Sequence, residues 1–122
     1  MTFSIVARSA DGTAFGVAVA SKFLAVGAAV PAAAAGVGAI ASQAYANLAY
    51  RPDGMAQLRE GRSASLTLET LVAADDKRET RQVGIVDVAD AAQLAATMPA
   101  SVADGPPVGS PPLYLSFLVL RN

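Results

Sequence analysis

Thr2-Phe3-Ser4-Ile5-Val6-Ala7-Arg8, then Ser9-Ala10-Asp11-Gly12, then Thr13-Ala14-Phe15-Gly16-Val17-Ala18-Val19-Ala20 form two alternating runs around a turn, and their reading decides the fold. In the first run Phe3, Ile5 and Ala7 alternate with Thr2, Ser4, Val6 and Arg8, the period of a strand whose successive side chains point to opposite faces. In the second, Phe15, Val17 and Val19 make a bulky row, while Ala14, Gly16, Ala18 and Ala20 make a thin one open to close packing. Asp11-Gly12 between them is hairpin turn chemistry. Residues 2–8 and 13–20 are therefore expected to pair antiparallel.

Outward from the hairpin, residues 25–31 and 37–42 are short apolar runs separated by residues 32–36, expected as strands of a second sheet layer. Residues 52–60 place Met55, Leu58 and Arg59 at helical spacing, with Pro52 suited to a first turn and Gly61 to a C-terminal stop. Ser63 is an expected N-cap for a second helix, in which Leu68, Leu71 and Val72 form a stripe that Asp75, Asp76 and Lys77 interrupt. Residues 81–87 return to strand, Val83, Ile85 and Asp87 alternating with Gln82, Gly84 and Val86. Beyond Asp87 the texture changes. Residues 88–98 are dominated by alanine, residues 99–112 hold five of the seven prolines, and residues 113–120 are an uncharged apolar run. Proline at that density favours an extended linker. Residues 1–87 are thus expected as the first part of a strand-led α+β domain and residues 88–122 as an Ala/Pro-rich tail ending in a strand-like run.

Composition narrows the chemistry. The 122 residues accommodate one domain, and nine Lys plus Arg against ten Asp plus Glu give a net charge of -1, which offers no basic field to nucleic acid. Cysteine and histidine are absent. Disulfides, thiolate metal sites and the usual general base are thereby excluded. Glu60, Glu69, Asp75, Asp76 and Glu79 are not spaced as a metal cluster and are expected as a solvated helical surface, so no metal or cofactor is expected. The start lacks the basic and apolar regions of a secretory signal, and a cytoplasmic address is the default. Residues 23–41 carry no charge over about the length of a membrane span, but Pro31, Gly27, Gly36, Gly38 and the many alanines argue against a membrane helix.

Several ordered blocks carry a resemblance: Met1-Thr2-Phe3-Ser4-Ile5-Val6-Ala7-Arg8, Gly16-Val17-Ala18-Val19-Ala20-Ser21-Lys22-Phe23, Ala25-Val26-Gly27, Val30-Pro31, Ala35-Gly36-Val37-Gly38-Ala39 and Arg81-Gln82-Val83-Gly84-Ile85-Val86-Asp87. Together they resemble the bacterial family called domain of unknown function 1028, over roughly the first seventy per cent of the chain, far more than a lone motif gives. That family is similar to N-terminal-nucleophile hydrolases. The resemblance implies a layered αββα sandwich with two antiparallel sheets stacked between helices. It also implies a site. With Met1 removed, the Thr2 hydroxyl would be the nucleophile and its own α-amine the base, acting on a small amide or peptide. The plain alternative is that Thr2 only starts a strand.

Lys22 is a candidate catalytic partner that would favour the neutral amine. It is also suited to laying its stem on a sheet edge with its head in water, and the proteasome-like pattern places its lysine on a later strand. Ser42, Gln43 and Asn47 fall where the related hydrolases begin a helix and present an amide to the oxyanion. Capping is the alternative role for Ser42 and Asn47. After Asp87 the family's expected Cys, Trp-Ala-Gly and Gln-Gly-Asn do not follow, as a displaced reading frame would explain. The sandwich is accordingly expected to be incomplete. The alternative to amide hydrolysis is a non-catalytic protein that forms homo-oligomers through exposed strands.

Overall fold

The computed structural model describes residues 1–88 and 113–114. Strand β1 (Thr2–Ser9) pairs antiparallel with β2 (Phe15–Ser21), from Thr2 opposite Ser21 to Arg8 opposite Phe15. The turn forms because Gly12 adopts a φ of 71°, in the left-handed region that glycine enters without strain, and its N–H bonds the Ser9 carbonyl at 3.0 Å. Asp11 accepts from the Thr13 N–H at 3.0 Å and the Thr13 hydroxyl at 2.8 Å. These bonds and the one from Ser9 hold its carboxyl down at about 2, the Ser9 bond contributing most.

The next segment departs from expectation. Residues 25–31 are not a strand: α1 (Val26–Ala29) is a short helix, opened by Ala25 at a φ of 58° and closed by the Val30 N–H on the Val26 carbonyl at 3.0 Å. Gly27, Ala28 and Ala29 bring no β-branched stiffness to resist that turn. The strand begins later, as β3 (Pro31–Ala34), an edge strand where proline is tolerated. Strand β4 (Gly38–Ala44) runs past Ser42, and no helix starts there. Helix α2 (Tyr50–Arg59) keeps Pro52 in its first turn, and α3 (Ala64–Ala73) is capped by the Ser63 hydroxyl, which accepts from the Leu66 N–H at 3.2 Å. Strand β5 (Arg81–Asp87) has the expected limits. Leu113–Tyr114, as β6, pairs with Ser9 and Arg8 of β1, so that end of the apolar run adds to an open sheet edge, while 115–120 and the proline-rich 99–112 lie outside the described residues.

Two small antiparallel sheets result, in the orders β2-β1-β6 and β3-β4-β5. Alternation sorts their side chains into two cores. Ala39, Ala41 and Val86 face the first sheet and meet Val6, Phe15, Val17 and Val19. Ile40, Val83 and Ile85 face the other way and pack on Tyr50, Met55, Leu58, Leu68 and Leu71 of α2 and α3. Strand β4 is thus buried on both sides, which is why its sequence reads as an apolar run rather than an alternation. The molecule is an α+β arrangement of sheet, sheet and helices. Among the described residues no helix is long and apolar enough to cross a membrane.

Direct cross-strand partners share a face, so the bulky row of β2 draws Thr2, Ser4, Val6 and Arg8 inward. The more apolar row, Phe3, Ile5 and Ala7, therefore faces outward, and Phe3 is 61% exposed. Arg8 enters the interior as a charge, its Nη1 donating to the carbonyls of Asp87 at 3.3 Å and Val88 at 2.9 Å while its buried Nε has no partner among the described residues. Asp87 in turn accepts from the Ala64 N–H through its carboxylate, which ties the end of β5 to the start of α3.

Candidate functional site

At one end of the space between the sheets the valine core gives way to polar groups, because β1 begins there with Thr2 and Ser4 and β4 ends there with Gln43. The Thr2 and Ser21 hydroxyls are 2.9 Å apart, as their cross-strand pairing requires. Ser21 also accepts from the Phe23 N–H at 3.1 Å. Gln43 accepts from the Ser4 hydroxyl at 2.7 Å and donates to the Thr2 carbonyl at 3.3 Å and to Gln82 at 2.9 Å. This fixes the main chain of Thr2 from below.

The cluster opens into a cleft of about 760 Å³. Thr2, Ser21 and Lys22 form one side, Val26 and Val30 of the α1 segment another, and Gln43, Tyr45 and Leu48 a third. Ala44, at a φ of 66°, bends the chain out of β4 so that Tyr45 lines the cleft. Arg81 braces this corner by donating to the Tyr45 carbonyl and, through Nε, to Asp75 at 2.8 Å. Of the residues singled out from the sequence, the structure brings together Thr2, Lys22 and Gln43.

Ser42 and Asn47 lie elsewhere. Ser42 shares the face of Ile40, toward the helices, and is wholly buried; its N–H bonds the Val30 carbonyl at 3.1 Å. Asn47 accepts from the Ala49 N–H at 3.1 Å just before α2 and donates to Asp75 at 3.2 Å. A second cleft, between α2 and α3, is lined by Asn47, Asp53, Gln57 and Asp75. Among the described residues no group of three or more carboxylates is placed to hold a metal ion.

Ser21, Tyr45 and Arg81 were not anticipated. Ser21 was within reach, because a hairpin turning at Asp11-Gly12 with Arg8 opposite Phe15 carries Thr2 to Ser21. Tyr45 and Arg81 depend on the bend at Ala44, which no local signal marks, alanine being a poor candidate for positive φ.

No curated protein matches this chain. The crystal structure of a Silicibacter pomeroyi protein carrying the DUF1028 label is similar, with a TM-score of 0.65 and 29% identity, over 71% of this chain and 41% of that one. This chain therefore spans well under half of that relative's length. A family model described as a family of unknown function, DUF1028, matches residues 2–101. The match runs past Asp87 and takes in most of the chain, which belongs to the DUF1028 family.

Proposed function

We propose that this chain carries the nucleophile of an amide hydrolase of the N-terminal-nucleophile type, with Thr2 as that nucleophile. The observation that carries the reading is the position of Thr2: it starts the middle strand of one of the two stacked sheets, and it lines an open cleft with Lys22. Two stacked antiparallel sheets with helices on the outer face of one support the layered αββα relationship.

Removal of Met1 would leave Thr2 with a free α-amine beside its own hydroxyl. Met1 is fully exposed, and threonine is small enough to permit the cleavage. The amine takes the hydroxyl proton as Oγ1 attacks the amide carbonyl. Collapse of the tetrahedral adduct breaks the C–N bond, the amine delivers that proton to the leaving nitrogen, and an ester to Thr2 remains. Water, losing a proton to the same amine, attacks the ester; the acid leaves and the hydroxyl is restored. Lys22, which lines the same cleft, favours the neutral form of that amine through its positive charge.

The test begins with mass spectrometry of the mature protein, in which Met1 is expected to be absent. Thr2→Ala should abolish hydrolysis and Lys22→Ala should lower it by about tenfold to a thousandfold. Retained Met1, or full activity in Thr2→Ala, ends the proposal.

A further inference from the structure

Resting on that reading of Thr2, we infer that the cleft takes an amide with an apolar or aromatic acyl group and a carboxylate on its amine part, as in an N-acylated amino acid. The apolar half of the argument is the wall. Phe23, Tyr45 and Leu48 are 64%, 77% and 57% exposed, and all three line the cleft beside Thr2. Single exposed apolar side chains need no explanation, but several gathered around one concavity, with few polar groups among them, are what a ligand pocket consists of. Its volume of about 760 Å³ suits a ligand of this size.

The charged half is the balance of ionisable side chains. Among the described residues Lys22 and Arg81 line the cleft, and no Asp or Glu does. Arg81 is engaged by Asp75 and the Tyr45 carbonyl. The ion pairs among the described residues are Arg62–Glu60 and Arg81–Asp75, so Lys22 is left with its charge at the rim. An anionic group on the substrate would pair with it, whereas a cationic one would meet like charge. Thr2, the apolar side chains and Lys22, all lining one cleft, match the carbonyl, the acyl group and the carboxylate of one molecule.

Ligand-observed NMR titration tests this with the full chain in its Thr2→Ala form, which holds ligand without turnover. N-benzoylglycine is expected to bind at least about tenfold more tightly than N-acetylglycine and than N-benzoylglycinamide. Phe23→Ala should erase the first preference and Lys22→Gln the second. Both positions are exposed, so the variants are expected to melt with the parent. Because the readout is binding, a wild-type protein that binds N-benzoylglycine selectively but hydrolyses nothing removes the nucleophile and leaves the pocket. Equal binding of the three compounds, or a wild-type dimer that buries Phe23, Tyr45 and Leu48, overturns the inference.

Discussion

Asp75 gathers more hydrogen bonds than any one contact of the site needs. Its carboxylate accepts from Arg81 Nε and the Tyr50 hydroxyl, each at 2.8 Å, from the Lys77 N–H at 2.9 Å and from Asn47 at 3.2 Å. The Arg81 bond, above all, holds its carboxyl well below the usual carboxylate range. Burial, with Asp75 beside it, pushes the Tyr50 hydroxyl up to about 12. The two groups act at opposite ends of the pH scale. A lowered carboxyl stabilises the fold above its unfolded pKa, near 3.9, and the contribution is lost as pH falls below that value. A raised phenol contributes fully below about 10 and is lost between there and about 12. Thermal midpoints followed by circular dichroism should therefore form a plateau with falling limbs on both sides. Tyr50→Phe is expected to lower the plateau by roughly 1 kcal/mol and flatten the alkaline limb, and an unchanged limb would count against the assignment. Ser42 makes the contrasting case. Its buried hydroxyl has no hydrogen-bond partner among the described residues, so Ser42→Ala should melt at or above the parent temperature and leave any Thr2-dependent turnover intact.

Helix α2 contains both Pro52 and Gly54, poor helix formers, and is stable because of what it packs against. A Cβ on Gly54 would meet the Cδ1 atom of Ile40 well inside van der Waals contact and that of Leu71 at 3.2 Å. Ile40 is wholly buried and has nowhere to move. Alanine at position 54 would gain about 1 kcal/mol of helix propensity but lose about 1–3 kcal/mol to overpacking. Gly54→Ala should thus destabilise the protein in denaturant titration, and a higher midpoint would show that α2 does not rest on β4 as closely as this. The same dependence on packing explains what the sequence disclosed. The β1–β2 hairpin, the Ser63 cap and β5 carry their signals locally, in alternation, turn and capping chemistry, and they were legible. Residues 25–31 were not, because a small-residue apolar run fits a short helix as well as a strand. The hydrophobic pattern of β1 did not show which row faces in, since that follows from the partner strand. In the site, Thr2, Lys22 and Gln43 were readable as chain positions, whereas Tyr45 and Arg81 reach the cleft only through the tertiary bend at Ala44.

At the scale of the whole molecule the unbalanced feature is the outer face of the β2-β1-β6 sheet. The long helices α2 and α3 lie against the other sheet, packed on Ile40, Val83 and Ile85. The outer row of β1, Phe3, Ile5 and Ala7, sits beside the thin row Gly16, Ala18 and Ala20, of which all three residues are exposed. A thin row of that kind lets another layer approach closely, and a large exposed side chain such as Phe3 beside it gains from being covered. The Silicibacter pomeroyi relative has more than half of its chain outside the matched part. We propose that a second copy covers this face, which is the sense in which assembly through strands complements the hydrolase reading. Sedimentation equilibrium over a micromolar concentration series is expected to show reversible association. Phe3→Lys places a charge on the exposed row of this face, away from the cores, and it should shift the equilibrium toward monomer by about tenfold or more while leaving the melting curve of the monomer unchanged. If the parent chain sediments as a monomer throughout, or if Phe3→Lys associates as strongly as the parent, this face is not where copies meet.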